Sequence, residues 1–119
     1  RLPIRYALGE ASRLATSDSP LTLAHLTQLT FEAPDTTRFP GIKLGHYALE
    51  RGGTTACIIN AANEVAVDAF LHERIGFTRI YTLITEALEA MPMVTNPTLD
   101  DYVEVNAATR WFVQNLIEK

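Results

Sequence analysis

The chain has 119 residues with 47% hydrophobic and 20% charged side chains, an ordinary globular composition for one domain that argues against disorder. Ten basic against fourteen acidic side chains leave a net charge of −4, poor material for a nucleic-acid or anionic-membrane binder, and a single cysteine, Cys57, excludes a disulfide framework or a multi-cysteine metal site. No apolar run approaches the roughly 18 residues that span a bilayer, no signal-peptide pattern opens the chain, and a start on Arg1 instead of Met leads us to expect a fragment.

Residues 1–39 read as an irregular connector, punctuated by Pro3, Pro20 and Pro34 and by the turn cluster Thr16-Ser17-Asp18-Ser19. A short helix is expected from Pro3 to about Leu8, since proline suits a first helical turn and Gly9 suits a stop. Leu21-Thr22-Leu23 and Leu29-Thr30-Phe31 alternate like short extended pieces, and Ala24 to Gln28 has room for one helical turn. From Pro40 the pattern becomes helical. Pro40 is expected as a first helical residue, with Gly52-Gly53 as the stop. The next helix should start at Thr54 or Thr55 as cap and run through Leu71, ending before Gly76. In the third, Ile80, Leu83, Ile84, Ala87, Leu88 and Met91 form one continuous apolar stripe; Thr78 is its expected cap, Phe77 a staple and Pro92 its stop. Thr98 with Asp101 three residues on begins another helical turn. Asn106 either caps a last helix carrying Trp111, Phe112 and Leu116 or lies inside one longer helix.

The helix through Asn60 differs from its neighbours. Apolar residues from Cys57 to Leu71 cover almost every side, leaving one narrow polar line through Asn60, Asn63, Glu64, Asp68 and His72. A helix apolar nearly all round belongs at the centre of a bundle, and its alanines permit close approach of its neighbours. The expected fold class is therefore all-α, a small helical bundle preceded by an irregular linker. We expect Asn60, Asn63 and Glu64 to hydrogen-bond the incoming connector around Leu29 to Pro40.

Chemistry is sparse. Glu64, Asp68 and His72 stand at i, i+4 and i+8 like a metal-ligand row, but the outer two are about 12 Å apart along a helix, too far to share one ion. A polar stripe with an Asp68–His72 pair is the plainer reading. His25 and His46 lack any CxxC or HExxH context. Cys57, inside an apolar stretch, reads as a core residue and not a nucleophile. Gly52-Gly53 is a helix stop, no phosphate-cradling glycine motif is present, and Asp100-Asp101 suit a helix start. No catalytic, cofactor-binding or metal-ligating residue is assigned.

Three ordered stretches carry a family resemblance. Asn60-Ala61-Ala62-Asn63-Glu64-Val65-Ala66-Val67, followed by Ala69-Phe70-Leu71 and Ile75-Gly76-Phe77-Thr78, resembles the signature of the C-terminal part of the 1-deoxy-D-xylulose 5-phosphate reductoisomerase family. Leu2-Pro3-Ile4-Arg5-Tyr6-Ala7-Leu8 resembles the segment that leaves that family's catalytic domain. Leu29-Thr30-Phe31-Glu32-Ala33-Pro34-Asp35, with Arg38-Phe39-Pro40, resembles the linker entering the terminal bundle. The chain departs from the family at Glu10-Ala11, where an aromatic–proline pair is usual, and at Gly45, where alanine is usual.

The resemblance implies a linker over residues 1–39 and a C-terminal helical bundle domain over residues 40–119. It implies a parent enzyme that isomerises 1-deoxy-D-xylulose 5-phosphate and reduces the product with NADPH to 2-C-methyl-D-erythritol 4-phosphate, in non-mevalonate isoprenoid biosynthesis, with Mg²⁺ or Mn²⁺. The implied NADPH, metal and substrate sites all precede Arg1, so this chain is expected to bind none of them and to be inactive alone. Implied partners are the upstream catalytic and NADPH-binding domains of a homodimer, cytoplasmic in a bacterium or else in a plastid. The competing readings are an independent helical protein-interaction module and a small metalloenzyme built on the Glu64–His72 row.

Overall fold

The computed structural model describes residues 2–9 and 28–118. The chain divides into two compact units, Arg1–Ala33 and Pro34–Lys119. In the first, helix α1 spans Leu2–Leu8, and Gly9 lies in the turn that follows, as the Pro3 and Gly9 signals anticipate. Leu29–Phe31 forms no strand. The expectations for Glu10-Ala11, residues 16–19, Leu21–Leu23 and most of the Ala24–Gln28 turn lie outside the described residues.

The second unit opens on a turn built by Asp35. Its carboxylate accepts hydrogen bonds from the backbone N–H groups of Thr37 (3.0 Å) and Arg38 (2.9 Å), and its carbonyl from that of Phe39 (2.9 Å). Helix α2 spans Ile42–Arg51, two residues later than the expected start at Pro40. Pro40 and Gly41 instead form a tight turn whose carbonyls accept from Lys43 (3.0 Å) and Leu44 (3.1 Å). Gly52 ends α2 with φ +65°, as expected of a glycine stop.

Helix α3 spans Thr55–Leu71. Thr54 occupies the cap position, yet its hydroxyl makes no cap bond to α3. It accepts a hydrogen bond from Val94 N–H (3.0 Å), while Thr54 N–H donates to the Val94 carbonyl (3.0 Å), a reciprocal clasp across forty residues. Gly53 is required here: its φ is +54°, and a Cβ would overlap the Val94 carbonyl oxygen. At its other end α3 closes with a paired C-terminal motif. Arg74 N–H donates to Ala69 (2.8 Å) and Glu73 N–H to Phe70 (2.9 Å), which places Glu73 at φ +58°, a conformation glycine tolerates far better.

Helix α4 spans Phe77–Ala90, capped by Gly76 and not by Thr78, which lies inside the first turn. Phe77 is itself helical and meets Phe70 edge-on, with ring centroids 5.6 Å apart, so it does not act as a staple preceding a cap. The stripe is as expected, with Leu83, Ile84 and Ala87 buried and Ile80, Leu88 and Met91 packed at its edge. Pro92 forces Met91 into an extended conformation and ends the helix. Helix α5 spans Leu99–Ile117 without a break and starts on a complete capping box between Thr98 and Asp101. Asn106 therefore lies inside one helix, its side chain accepting from Arg110 Nε (3.1 Å).

The core is where α3 meets α4 and α5. Ile58, Ala62, Val65 and Ala66 of α3 pack with Leu83, Ile84 and Ala87 of α4 and Val113 of α5. Ala61, Ala62, Ala66 and Ala69 are all completely buried, which fits the hub role read from the sequence. Helix α2 packs against α3 alone and contributes no buried residue.

Two backbone sites give opposite expectations. Glu73→Gly should stabilise the fold by about 0.5–1 kcal/mol, by relieving the left-handed conformation. Gly53→Ala should cost more than about 2 kcal/mol, through overlap with Val94 and loss of the clasp. Denaturant melts of both variants check the signs; a neutral Gly53→Ala would contradict the clasp geometry.

Candidate functional site

The polar line of α3 divides into two groups that do not converge. At its N-terminal end Asn60 Nδ2 donates to Glu64 Oε1 (3.1 Å), and the other Glu64 oxygen accepts a hydrogen bond from Arg110 Nη2 on α5. Arg110 is held in turn by Asn106, four residues earlier on the same helix. Hydrogen bonds from Arg110 and then Asn60 hold the Glu64 carboxyl below its ordinary range. One turn further on, Asp68 Oδ2 accepts from Arg74 Nη2 (3.2 Å), and Asp68 Oδ1 lies 3.3 Å from His72 Nδ1. The expected Asp68–His72 pair is present, and the His72 ring nitrogen also sits 2.8 Å from the Asp68 carbonyl.

Asn60 and Glu64 therefore do not bond the connector, contrary to the expectation drawn from their shared side. A guanidinium within reach on α5 outcompetes loop backbone for a carboxylate, since charge-assisted pairs are the stronger bonds. Arg110 is the residue that sequence reasoning missed; the only trace of it was the Asn106–Arg110 spacing of four on a helix. The exposed side chain of Asn63 has no hydrogen-bond partner among the described residues and borders a hollow of about 610 Å³ shared with residues 37–42 and α4.

The remaining candidates have structural roles. Cys57 is partly buried, its thiol placed 3.6 Å from the Tyr102 carbonyl; burial pushes its pKa up, against a smaller opposing effect of Arg110. That favours the unreactive thiol. Asp101 serves the Thr98 capping box, whose hydrogen bonds hold it below its ordinary value, and Asp100 lies in the same first turn. His46 is exposed on α2, and His25 lies outside the described residues. Among the described residues no three His, Cys, Asp or Glu side chains meet to hold a metal, and no helix is long and apolar enough to cross a membrane.

Residues 1–112 match the family described as the DXP reductoisomerase C-terminal domain. The chain belongs to that family. Relatives include the 1-deoxy-D-xylulose 5-phosphate reductoisomerase of Phocaeicola vulgatus, 42% identical over 98% of this chain and 31% of the relative. The same enzyme from Methylobacillus flagellatus is 47% identical over 92% of this chain and 28% of its own length. Among solved structures, 1-deoxy-D-xylulose 5-phosphate reductoisomerase from Zymomonas mobilis in complex with NADPH superimposes with a TM-score of 0.84 at 34% identity, over 98% of this chain and 31% of that one. The chain thus spans about a third of the length of these relatives. An independent helical interaction module is not favoured beside matches that run through the whole bundle.

Because the folded-state pKa values of Glu64 and Asp101 are depressed, their pairings stabilise the fold in full above the ordinary values of 4.5 and 3.8 and lose that contribution as pH falls through the lower folded values. Denaturant midpoints should therefore decline from about pH 5 downward. The decline should be shallower in a Glu64→Gln, Asp101→Asn double variant; an identical slope would show that neither pairing contributes.

Proposed function

We propose that this chain is the C-terminal supporting domain of a 1-deoxy-D-xylulose 5-phosphate reductoisomerase. The parent enzyme isomerises its sugar phosphate and reduces the product with NADPH to 2-C-methyl-D-erythritol 4-phosphate, in non-mevalonate isoprenoid biosynthesis. The family match over residues 1–112 carries this reading. Residues 1–39 are the linker leaving the catalytic domain, and residues 40–119 are the bundle domain. The compact unit beginning at Pro34 contains the whole of α2 to α5, which suits that division.

The chain contributes packing and no chemistry. Three of its carboxylates, Glu64, Asp101 and Asp68, are engaged by Arg110, by the Thr98 cap and by Arg74, and burial pushes the Cys57 thiol's pKa up. Catalytic, NADPH-binding and Mg²⁺- or Mn²⁺-binding residues belong to the upstream domains, with which this bundle pairs in a cytoplasmic bacterial homodimer. On this reading the full-length enzyme consumes NADPH with the sugar phosphate, while the 119-residue chain alone oxidises none and gives no heat of binding with NADPH or Mn²⁺ in titration calorimetry. One-to-one micromolar binding of either by the isolated chain would overturn the assignment.

A further inference from the structure

Helix α2 is held firmly at both ends and weakly between them. Before it, the Asp35 carboxylate and carbonyl fix the backbone of Thr37, Arg38 and Phe39. After it, Thr54 is tied to the Val94 backbone by the reciprocal clasp. The helix itself has weaker holds. Gly41, at its N-cap, offers no side chain to its first N–H groups, and no acidic residue stands in its first turn. Leu44 and Ala48 are half-buried, and every other residue from Ile42 to Arg51 is exposed.

The seam beneath it is incompletely filled. Leu44, Gly45 and Ala48 line a hollow of about 380 Å³ together with Ala56 and Ile59 of α3. A Cβ placed on Gly45 would meet nothing within 4 Å. On the other flank, Lys43 and Tyr47 stand across a second hollow, of about 260 Å³, from Tyr81 and Leu88 of α4. Among the described elements, α2 packs on α3 alone.

Ten residues make a helix shorter than the roughly 12–15 needed for even marginal stability in water, so α2 depends on that packing. A glycine in mid-helix weakens it further, by about fivefold relative to alanine. The support it receives comes through two half-buried side chains over a gap. Helices α3, α4 and α5 share instead a core of fully buried side chains that includes Ile58, Leu83 and Val113. In such a structure the least supported element opens first and leaves the rest folded. Glycines supply the turning points: Gly41 before the helix, and Gly52 after it, already at φ +65°.

We propose that α2 is a hinged strap, which lifts from α3 about Gly41 and Gly52 while α3, α4 and α5 stay folded. Lifting it carries no buried residue out of the core and uncovers the half-buried Ile59 of α3. The Asp35 turn and the Thr54–Val94 clasp hold the chain on either side, so the strap closes again onto the same seat.

Native-state hydrogen exchange of the full-length protein, followed by mass spectrometry, tests this. Amides of residues 46–51 in α2 should be at least about a hundredfold less protected than those of residues 62–69 in α3. Gly45→Ala should raise protection in α2 about fivefold, by strengthening the closed helix where the new methyl meets open space. Protection in α3 should stay within about twofold of wild type. Equal protection in the two helices would overturn the proposal. So would a Gly45→Ala change that slows both helices alike, because α2 would then open only with the whole bundle, or one that slows neither.

Discussion

How closely α4 and α5 can approach α3 sets everything else in the bundle. Ala61, Ala62, Ala66 and Ala69 have no exposed surface, and each presents only a methyl group to a neighbouring element. Small side chains at a contact let helices approach toward the near end of the usual separation of about 8–10 Å, and Leu83, Ile84 and Val113 pack with Ala62 and Ala66. Larger side chains at these positions would push the neighbours outward and pull apart the Thr54–Val94 clasp, which ties the start of α3 to the segment between α4 and α5. The polar groups that remain inside are few and satisfied; Thr109, for example, donates to the Val105 carbonyl at 2.7 Å.

That constraint explains where the chemistry went. With α3 enclosed, its polar line is left only a narrow strip of surface, and the residues on it serve the packing. Glu64 joins α3 to α5 through Arg110, while Asp68 joins the end of α3 to Arg74 just beyond it. These are partly or fully exposed pairs, so their value lies in fixing geometry more than in free energy. A domain organised this way suits bracing a larger enzyme, and α2 is the helix of the bundle that contributes no buried residue.

Much of this was legible in the sequence because it is local. The α4 stripe, the Pro92 and Gly52 stops and the Thr98–Asp101 box are each read within four to twelve residues, and each stands where expected. The hub was legible too, since a helix apolar on nearly all sides has only one kind of place to go. Failures came where a partner distant in sequence decided the outcome. Thr54 stands at the cap position as expected, but its hydroxyl accepts from Val94 N–H instead of from α3; Glu64 looks free to reach the connector, but it pairs with Arg110. Helix starts shifted by two residues at Pro40 and Thr78 because proline, threonine and glycine are all acceptable at such ends, and tertiary fit selects among them. The family resemblance, by contrast, was legible from three short ordered stretches, and the match over residues 1–112 bears it out.

The central claim is that this chain supports catalysis by packing and takes no part in the reaction. Its most direct test is the turnover number of the full-length enzyme carrying Glu64→Gln, Asp68→Asn and His72→Gln together, measured beside its melting temperature. The expected result is a kcat within about twofold of wild type, with only a modest fall in melting temperature. A loss of about a hundredfold in kcat with the melting temperature unchanged would place this polar line in the reaction and contradict the claim.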